Sequence, residues 1–142
     1  MALSLFAEGE LFIDLRNPSY KDGILYTNQG GVVRGEDIRI QAKSIQYIRK
    51  EGAHRIEAEG DLLIQYKGKA YVGSELEYDF AKQTGIVYEG KTFSSMWYIG
   101  GDEIHLKPDG SYKVKHGSIT TCENADSTWE LKASRVNFLK DN

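Results

Sequence analysis

The chain has 142 residues, of which 40% are apolar and 27% charged, and its formal net charge is −3. This length usually forms one globular domain. The charge gives no electrostatic case for binding nucleic acid, because such proteins usually present a basic face. No run approaches the roughly 18 apolar residues that a membrane-spanning helix needs. Nine tyrosines and fifteen glycines against two prolines favour β-structure.

The start of the chain and its cysteine limit where the protein can act. Met1 to Phe6 is too short for the apolar region of a signal peptide and lacks a basic lead. We expect either a cytoplasmic protein or one whose leader has been removed. The single cysteine, Cys122, excludes an internal disulfide but leaves one to a partner open.

Strict alternation of apolar and polar residues is the dominant pattern. In Asp37–Lys43, one face carries Ile38, Ile40 and Ala42, and the other carries charged and amide groups. Ser74–Phe80 repeats the pattern. Such alternation is typical of antiparallel strands with one dry face and one wet face. The apolar parity shifts near Lys43-Ser44, which indicates a bulge there.

Short turn signals separate the alternating runs. Each contains glycine: Lys50-Glu51-Gly52, Lys67-Gly68-Lys69, Gln83-Thr84-Gly85 and Pro108-Asp109-Gly110. They predict a meander of consecutive hairpins. Similar units recur about every thirty residues, with "IQAKSIQY" at Ile40–Tyr47 resembling "LKASRVNF" at Leu131–Phe138. A true repeat and the chance spacing of a meander both fit.

Candidate catalytic groups are weakly supported. The histidines His54, His105 and His116 are scattered, so no metal site or metal cofactor is expected. The carboxylate pairs Glu57/Glu59 and Glu75/Glu77 resemble acid–base pairs, but they alternate with apolar residues and therefore belong to a wet strand face. We expect a protein that is not an enzyme.

The predicted dry face is the candidate binding surface. Its residues could fill an ordinary sandwich core, or they could line a groove that holds an acyl chain by apolar burial. The sequence alone leaves both interpretations open. The candidate groove-lining residues are Ile38, Ile40, Ile56, Leu76, Tyr78, Ile86, Phe93, Trp97 and Ile104.

A resemblance to the OstA-like domains of the lipopolysaccharide-transport proteins favours the groove over the filled core. In Ser118–Val136, "SITTCENADSTWELKASRV", a Thr-rich strand leads to Cys122, a short polar loop and Trp129. This segment is similar to one in the LptD family. The stretches "GGVVRGEDIRIQAKSIQY" and "AYVGSELEYDFAKQTGIVYEG" resemble the hairpin units that LptD shares with LptA and LptC.

The resemblance implies a fold and a function. The fold is an open, twisted β-jellyroll, a V-shaped sandwich formed by the single domain 1–142, which belongs to a longer protein with a C-terminal outer-membrane β-barrel. The function is lipopolysaccharide transport: the domain lies at the periplasmic face of the outer membrane, accepts acyl chains in a hydrophobic groove and passes them to the barrel.

The implied partners are lipopolysaccharide, an LptA-like bridge protein, the barrel and the lipoprotein LptE. Exposed edge strands can template the addition of another strand, and we expect such edges at Leu11–Leu15 and Val136–Leu139. Cys122 matches the family cysteine that bonds to the barrel. The second N-terminal cysteine of several members is missing here.

Two alternatives stay open. A free-standing LptA-like bridge would share the same physics without a barrel. A carbohydrate-active β-sandwich enzyme would instead use Glu57 or Glu77.

Overall fold

The computed structural model describes residues 2–7, 11–94, 97–121 and 131–138. These residues form thirteen antiparallel strands, which confirms the predicted all-β class. Among them, no helix is long and apolar enough to span a membrane. The strands are β1 (Ala2–Ala7), β2 (Leu11–Arg16), β3 (Ser19–Lys21), β4 (Ile24–Thr27), β5 (Gly31–Arg34), β6 (Ile38–Ala42), β7 (Ser44–Lys50), β8 (Ala53–Tyr66), β9 (Lys69–Asp79), β10 (Thr84–Ser94), β11 (Trp97–Leu106), β12 (Tyr112–Thr121) and β13 (Leu131–Phe138).

The strands belong to one branched, open sheet. Its main path runs β1-β2-β5-β6-β8-β9-β10-β11-β12-β13, and β3-β4-β7 forms a side branch that joins at β8. Strand β8 has 14 residues, so its first half can pair with β7 and its second half with β6. The consecutive pairing from β8 to β12 matches the predicted series of hairpins.

Strands β9, β10 and β11 each change their buried face near the middle. In β9, Tyr71 and Leu76 are both fully buried although an odd number of positions separates them. A straight strand would place such residues on opposite faces. The same interval recurs at Val87/Thr92 in β10 and at Ile99/Ile104 in β11. The strands therefore bend, and the sheet folds over on itself.

The local backbone accounts for these bends. In β8 the pairing register shifts between Glu59 and Leu62, where Asp61 has a positive φ of 46°. Glu89 in β10 and His116 in β12 also have positive φ, at 49° and 52°. Residues in this conformation interrupt the alternation of a strand and increase its twist. The bends lie side by side and form one fold line.

Two cross-strand rows of side chains mark the two layers on either side of the fold line. Layer A carries the row Ile40, Ile64, Tyr71, Thr92, Ile99 and Ile119. Layer B carries the row Ile45, Ala58, Leu76, Val87, Ile104 and Val114. The buried apolar residues of both rows belong to one hydrophobic cluster. The architecture is an open β-jellyroll, as the sequence predicts.

The structure agrees with the predicted irregularity at Lys43 and with one of the two predicted edges. The chain does leave its alternating pattern at Lys43, between β6 and β7. The edge expected at Leu11–Leu15 is wrong, because β2 pairs with both β1 and β5. The N-terminal edge is β1. At the other end of the path, β13 pairs with β12 and is an edge strand among the described residues, as expected for Val136.

Candidate functional site

Most of the candidate groove residues lie together between the two layers. The inward residues are at most 7% exposed and belong to one cluster: Ile38, Ile40, Ile56, Leu76, Tyr78 and Ile104. Trp97 is partly buried and packs against the same cluster. These residues therefore form an apolar face, as predicted, and their side chains fill the space between the layers.

The prediction of an inward side chain at Ile86 is wrong. The turn occupies residues 80–83, whereas the sequence pattern places it at Gln83-Thr84-Gly85, so β10 begins at Thr84. Gly85 then pairs with Tyr78, and Val87 pairs with Leu76. A Cβ at Gly85 would lie 2.8 Å from Tyr78 Cδ1, so the inward position takes glycine. Ile86 lies on the outer face.

Phe93 also faces outward, which is the second correction. Its side chain is 58% exposed, and its ring contacts that of Tyr98 at a centroid distance of 6.0 Å. The sequence prediction assumed unbroken alternation along β10. The bend at Glu89 reverses the parity, so Thr92 takes the inward position instead.

Tyrosines close the sandwich at the end opposite the fold line, here called the mouth. The Tyr66 hydroxyl of layer A donates to the carbonyl of Lys107 at 2.7 Å and also lies 3.3 Å from the carbonyl of Gln83. Both acceptors follow strands of layer B. The Tyr66 ring packs edge-on against Tyr78 at 5.8 Å. These contacts hold the two layers together where no bent strand connects them.

A recess of about 380 Å³ opens at the mouth and is lined by both layers. Apolar residues such as Leu11, Ile38 and Phe80 form part of its wall. Charged residues complete the rim, where Lys67 Nζ and Asp37 Oδ2 form an ion pair at 2.9 Å. The recess therefore combines an apolar wall with a charged rim, directly above the filled interior.

The tyrosines of the interior are strongly desolvated. Burial raises the pKa of the Tyr66, Tyr71 and Tyr78 phenols above the ordinary value of 10.0. Among the described side chains, the Tyr71 hydroxyl is the buried polar group without a hydrogen-bond partner. Leaving such a group unbonded costs about 1–3 kcal/mol.

Tyr66, Tyr71 and Tyr112 are site residues that the sequence pattern did not predict. A signal was available, because all three stand within two positions of a glycine-containing turn, Lys67-Gly68-Lys69 or Pro108-Asp109-Gly110. A large aromatic residue at the end of an inward strand face is well placed to close the end of a sandwich.

The acidic pairs occupy the outer face, as predicted. Glu57 pairs with Glu77 across β8 and β9, and Glu59 pairs with Glu75. Tyr88 donates a hydrogen bond to Glu77 Oε1 at 3.1 Å. In the part of the chain that the structure describes, no group of three or more His, Cys, Asp or Glu side chains is placed to hold a metal ion. Cys122 lies outside the described residues, and the predicted disulfide with it.

No family model matches the chain. Two curated relatives are similar to it, and both are LPS-assembly proteins LptD. The protein of Nitrosospira multiformis is 26% identical over 106 residues, covering 72% of this chain and 11% of the relative. That of Chromohalobacter salexigens is 27% identical over 126 residues, covering 87% of this chain and 15% of the relative. The chain thus spans a small part of the length of these relatives. Its similarity to these LPS-assembly proteins LptD extends over most of its own residues and agrees with its all-β, jellyroll-like fold.

Proposed function

We propose that this domain takes part in lipopolysaccharide assembly by binding acyl chains between its two layers. The observation that carries the proposal is the continuous apolar interior, which reaches a recess at the mouth in a chain similar to LPS-assembly proteins. Each methylene that leaves water gains about 0.8 kcal/mol. An acyl chain can therefore offset part of the cost of separating the layers.

The layers would part at the mouth and pivot at the fold line. Five long strands, β8 to β12, cross the fold line with their backbones, whereas side chains such as Tyr66 and Tyr78 connect the layers at the mouth. Breaking side-chain contacts costs less than breaking a strand ladder. The predicted groove is thus a state that forms when lipid enters.

The sheet edges support a modular arrangement along the cell envelope. Edge strands β1 and β13 could each accept a strand from a neighbouring domain by main-chain hydrogen bonds. In this proposal, an LptA-like bridge protein adds at β1, and β13 continues towards a barrel domain that LptE accompanies. The domain would lie at the periplasmic face of the outer membrane and carry no catalytic site.

Site-specific photocrosslinking to lipopolysaccharide tests this proposal. A benzophenone amino acid at Ile38 or Tyr78, beside the mouth, should form adducts, and the same label at Ile86 should not. Ile86 is the matched control because it lies three positions after the β9–β10 turn but on the outer face. Equal adduct yields from Ile86 and Tyr78, or none from either in a folded domain, would contradict binding between the layers.

A further inference from the structure

The inner face of β9 carries two polar groups in order of depth from the mouth. Lys69 is the first residue of the strand, and its Nζ lies 5.9 Å from the centroid of the Tyr112 ring of layer B. Tyr71 comes two positions further in and contacts the same ring edge-on, at 5.7 Å. On a strand, this spacing separates the two side chains by roughly 7 Å.

The Tyr71 hydroxyl differs from the hydroxyls around it. Tyr66 donates to the Lys107 carbonyl, and Thr92, the cross-strand neighbour of Tyr71, donates to the Ala70 carbonyl at 2.6 Å. Within the described part of the chain, the Tyr71 hydroxyl has no such acceptor, although its side chain is fully buried. The apolar row that flanks it, with Ile64 on β8, offers none.

We propose that Tyr71 binds the carbonyl oxygen of an ester- or amide-linked acyl chain, and that Lys69 holds an anionic group next to it at the mouth. A phenol hydroxyl can donate to a carbonyl oxygen, which has no proton to give in return. The alkyl tail then extends from Tyr71 into the apolar interior. The ligand class is an anionic lipid with acyl linkages, and this inference rests on the proposed function.

The order of the groups along β9 fits the order of groups in such a lipid. The charge meets Lys69 at the start of the strand, the linkage carbonyl meets Tyr71, and the tail lies among apolar residues of both layers, such as Ile64 and Leu76. The ring of Tyr112 contacts the Tyr71 ring edge-on and lies 5.9 Å from Lys69 Nζ. The Tyr71 side chain is fully buried, and exclusion of water strengthens a hydrogen bond from its hydroxyl to the carbonyl.

The test compares two lipids that differ only in the linkage. The 1-tetradecanoyl ester of glycerol 3-phosphate has a carbonyl, and its 1-O-tetradecyl ether analogue does not. Titration calorimetry below the critical micelle concentration gives the ester-to-ether affinity ratio for the 142-residue chain, Tyr71→Phe and a control, Tyr98→Phe. Tyr98 is 54% exposed on layer A and leaves the interior unchanged.

The unchanged chain and Tyr98→Phe should prefer the ester by roughly two- to tenfold, the worth of one neutral hydrogen bond. Tyr71→Phe should bind both lipids with a ratio near one. Its stability towards urea should be equal or higher, because the change removes a buried hydroxyl without a partner. Lys69→Gln should weaken both lipids by a similar factor and leave the ratio intact.

The results that would contradict the role of Tyr71 differ from those that would contradict the proposed function. If both lipids bind but Tyr71→Phe keeps the ester preference, Tyr71 does not contact the carbonyl, while binding between the layers stands. If neither lipid binds the folded chain, the proposed function fails as well. A loss of stability in Tyr71→Phe would show that its hydroxyl serves the fold, and would also overturn the assignment.

Discussion

At the scale of single residues, the interior is closed by tyrosines, whose side chains are partly apolar and partly polar. A tyrosine ring buries apolar area, while its hydroxyl still seeks a hydrogen bond. Tyr66 meets both demands through the Lys107 carbonyl, whereas Tyr71 meets only the first. The cost of an unbonded hydroxyl is tolerable when function uses the group, and Tyr71 is therefore the residue whose replacement separates stability from binding.

The buried tyrosines predict a loss of stability at alkaline pH. Burial raises the pKa of Tyr66, Tyr71 and Tyr78 in the folded state above the ordinary 10.0. Their contribution is complete below pH 10 and is lost as pH rises towards the folded values, because only the unfolded phenols ionise in that window. The expected slope is ~1.4 kcal/mol per pH unit for each tyrosine. Urea unfolding between pH 8 and pH 11 measures it.

The matched control for this prediction is the double variant Tyr71→Phe/Tyr78→Phe. It removes two of the three phenols, so its stability should fall less steeply above pH 10. Tyrosinate absorbance recorded in the same titration reports ionisation directly. A double variant with the same slope as the unchanged chain would show that other groups cause the alkaline loss.

At the scale of elements, the bends in the long strands decide which residues face inward. A strand that reverses its buried face brings both of its halves onto one interior. Glycines near the fold line allow this geometry. A Cβ at Gly101 would lie 2.5 Å from Val114 Cγ1 and 2.7 Å from the Lys115 carbonyl oxygen, so no larger residue fits where β11 bends against β12.

Gly101→Ala should therefore destabilise the domain by about 1–3 kcal/mol, the usual cost of overpacking a core. Gly35→Ala is the control, because a Cβ there meets its nearest atom, Ile38 Cγ2, at 3.4 Å and the backbone is not left-handed. Thermal unfolding of both variants tests the prediction. Equal melting temperatures for Gly101→Ala and the unchanged chain would show that β11 can shift without cost.

At the scale of the whole molecule, continuous strands make the two layers one cooperative unit. Strand β8 contributes Ile56 to layer B and Ile64 to layer A, and both side chains are fully buried. Among the described residues, neither layer has a core of its own, because the buried apolar side chains form one cluster between the layers. Opening at the mouth should consequently occur without independent unfolding of either layer.

Truncating either isoleucine should lower the stability of the entire domain. Ile56→Ala and Ile64→Ala should each cost about 2–5 kcal/mol, as for other large-to-small changes in a core. Each variant should unfold in one transition, with the same midpoint by near-UV and far-UV circular dichroism. A second transition in either variant would mean that one layer folds alone.

The similarity to LptD proteins extends over most of the chain but over a small part of each relative. The whole relatives are therefore much longer than this domain. A domain with edges at both ends of its sheet path is suited to a place within a longer series of strands. Lipid binding between the layers and strand addition at the edges use different parts of the domain, so each needs its own test.

Alternation and turn chemistry in the sequence determined the all-β class, the hairpins from β8 to β12 and most inward residues. Ile38, Ile40, Ile56, Leu76, Tyr78 and Ile104 were all predicted from this pattern and lie between the layers. These features are local, because a strand alternates with a period of two and a glycine turn ends it within a few residues.

Only the tertiary structure decided the orientation of Ile86 and Phe93, the edge at β1 and the tyrosine contacts across the mouth. The pairing of Gly85 with Tyr78 and of Val87 with Leu76 places Ile86 on the outer face, and a single positive φ at Glu89 reverses the parity of Phe93. Tyr66 and Lys107 meet because two layers close over one interior, although 41 positions separate them in the chain. Such contacts depend on the path of the whole sheet, which no short stretch of sequence contains.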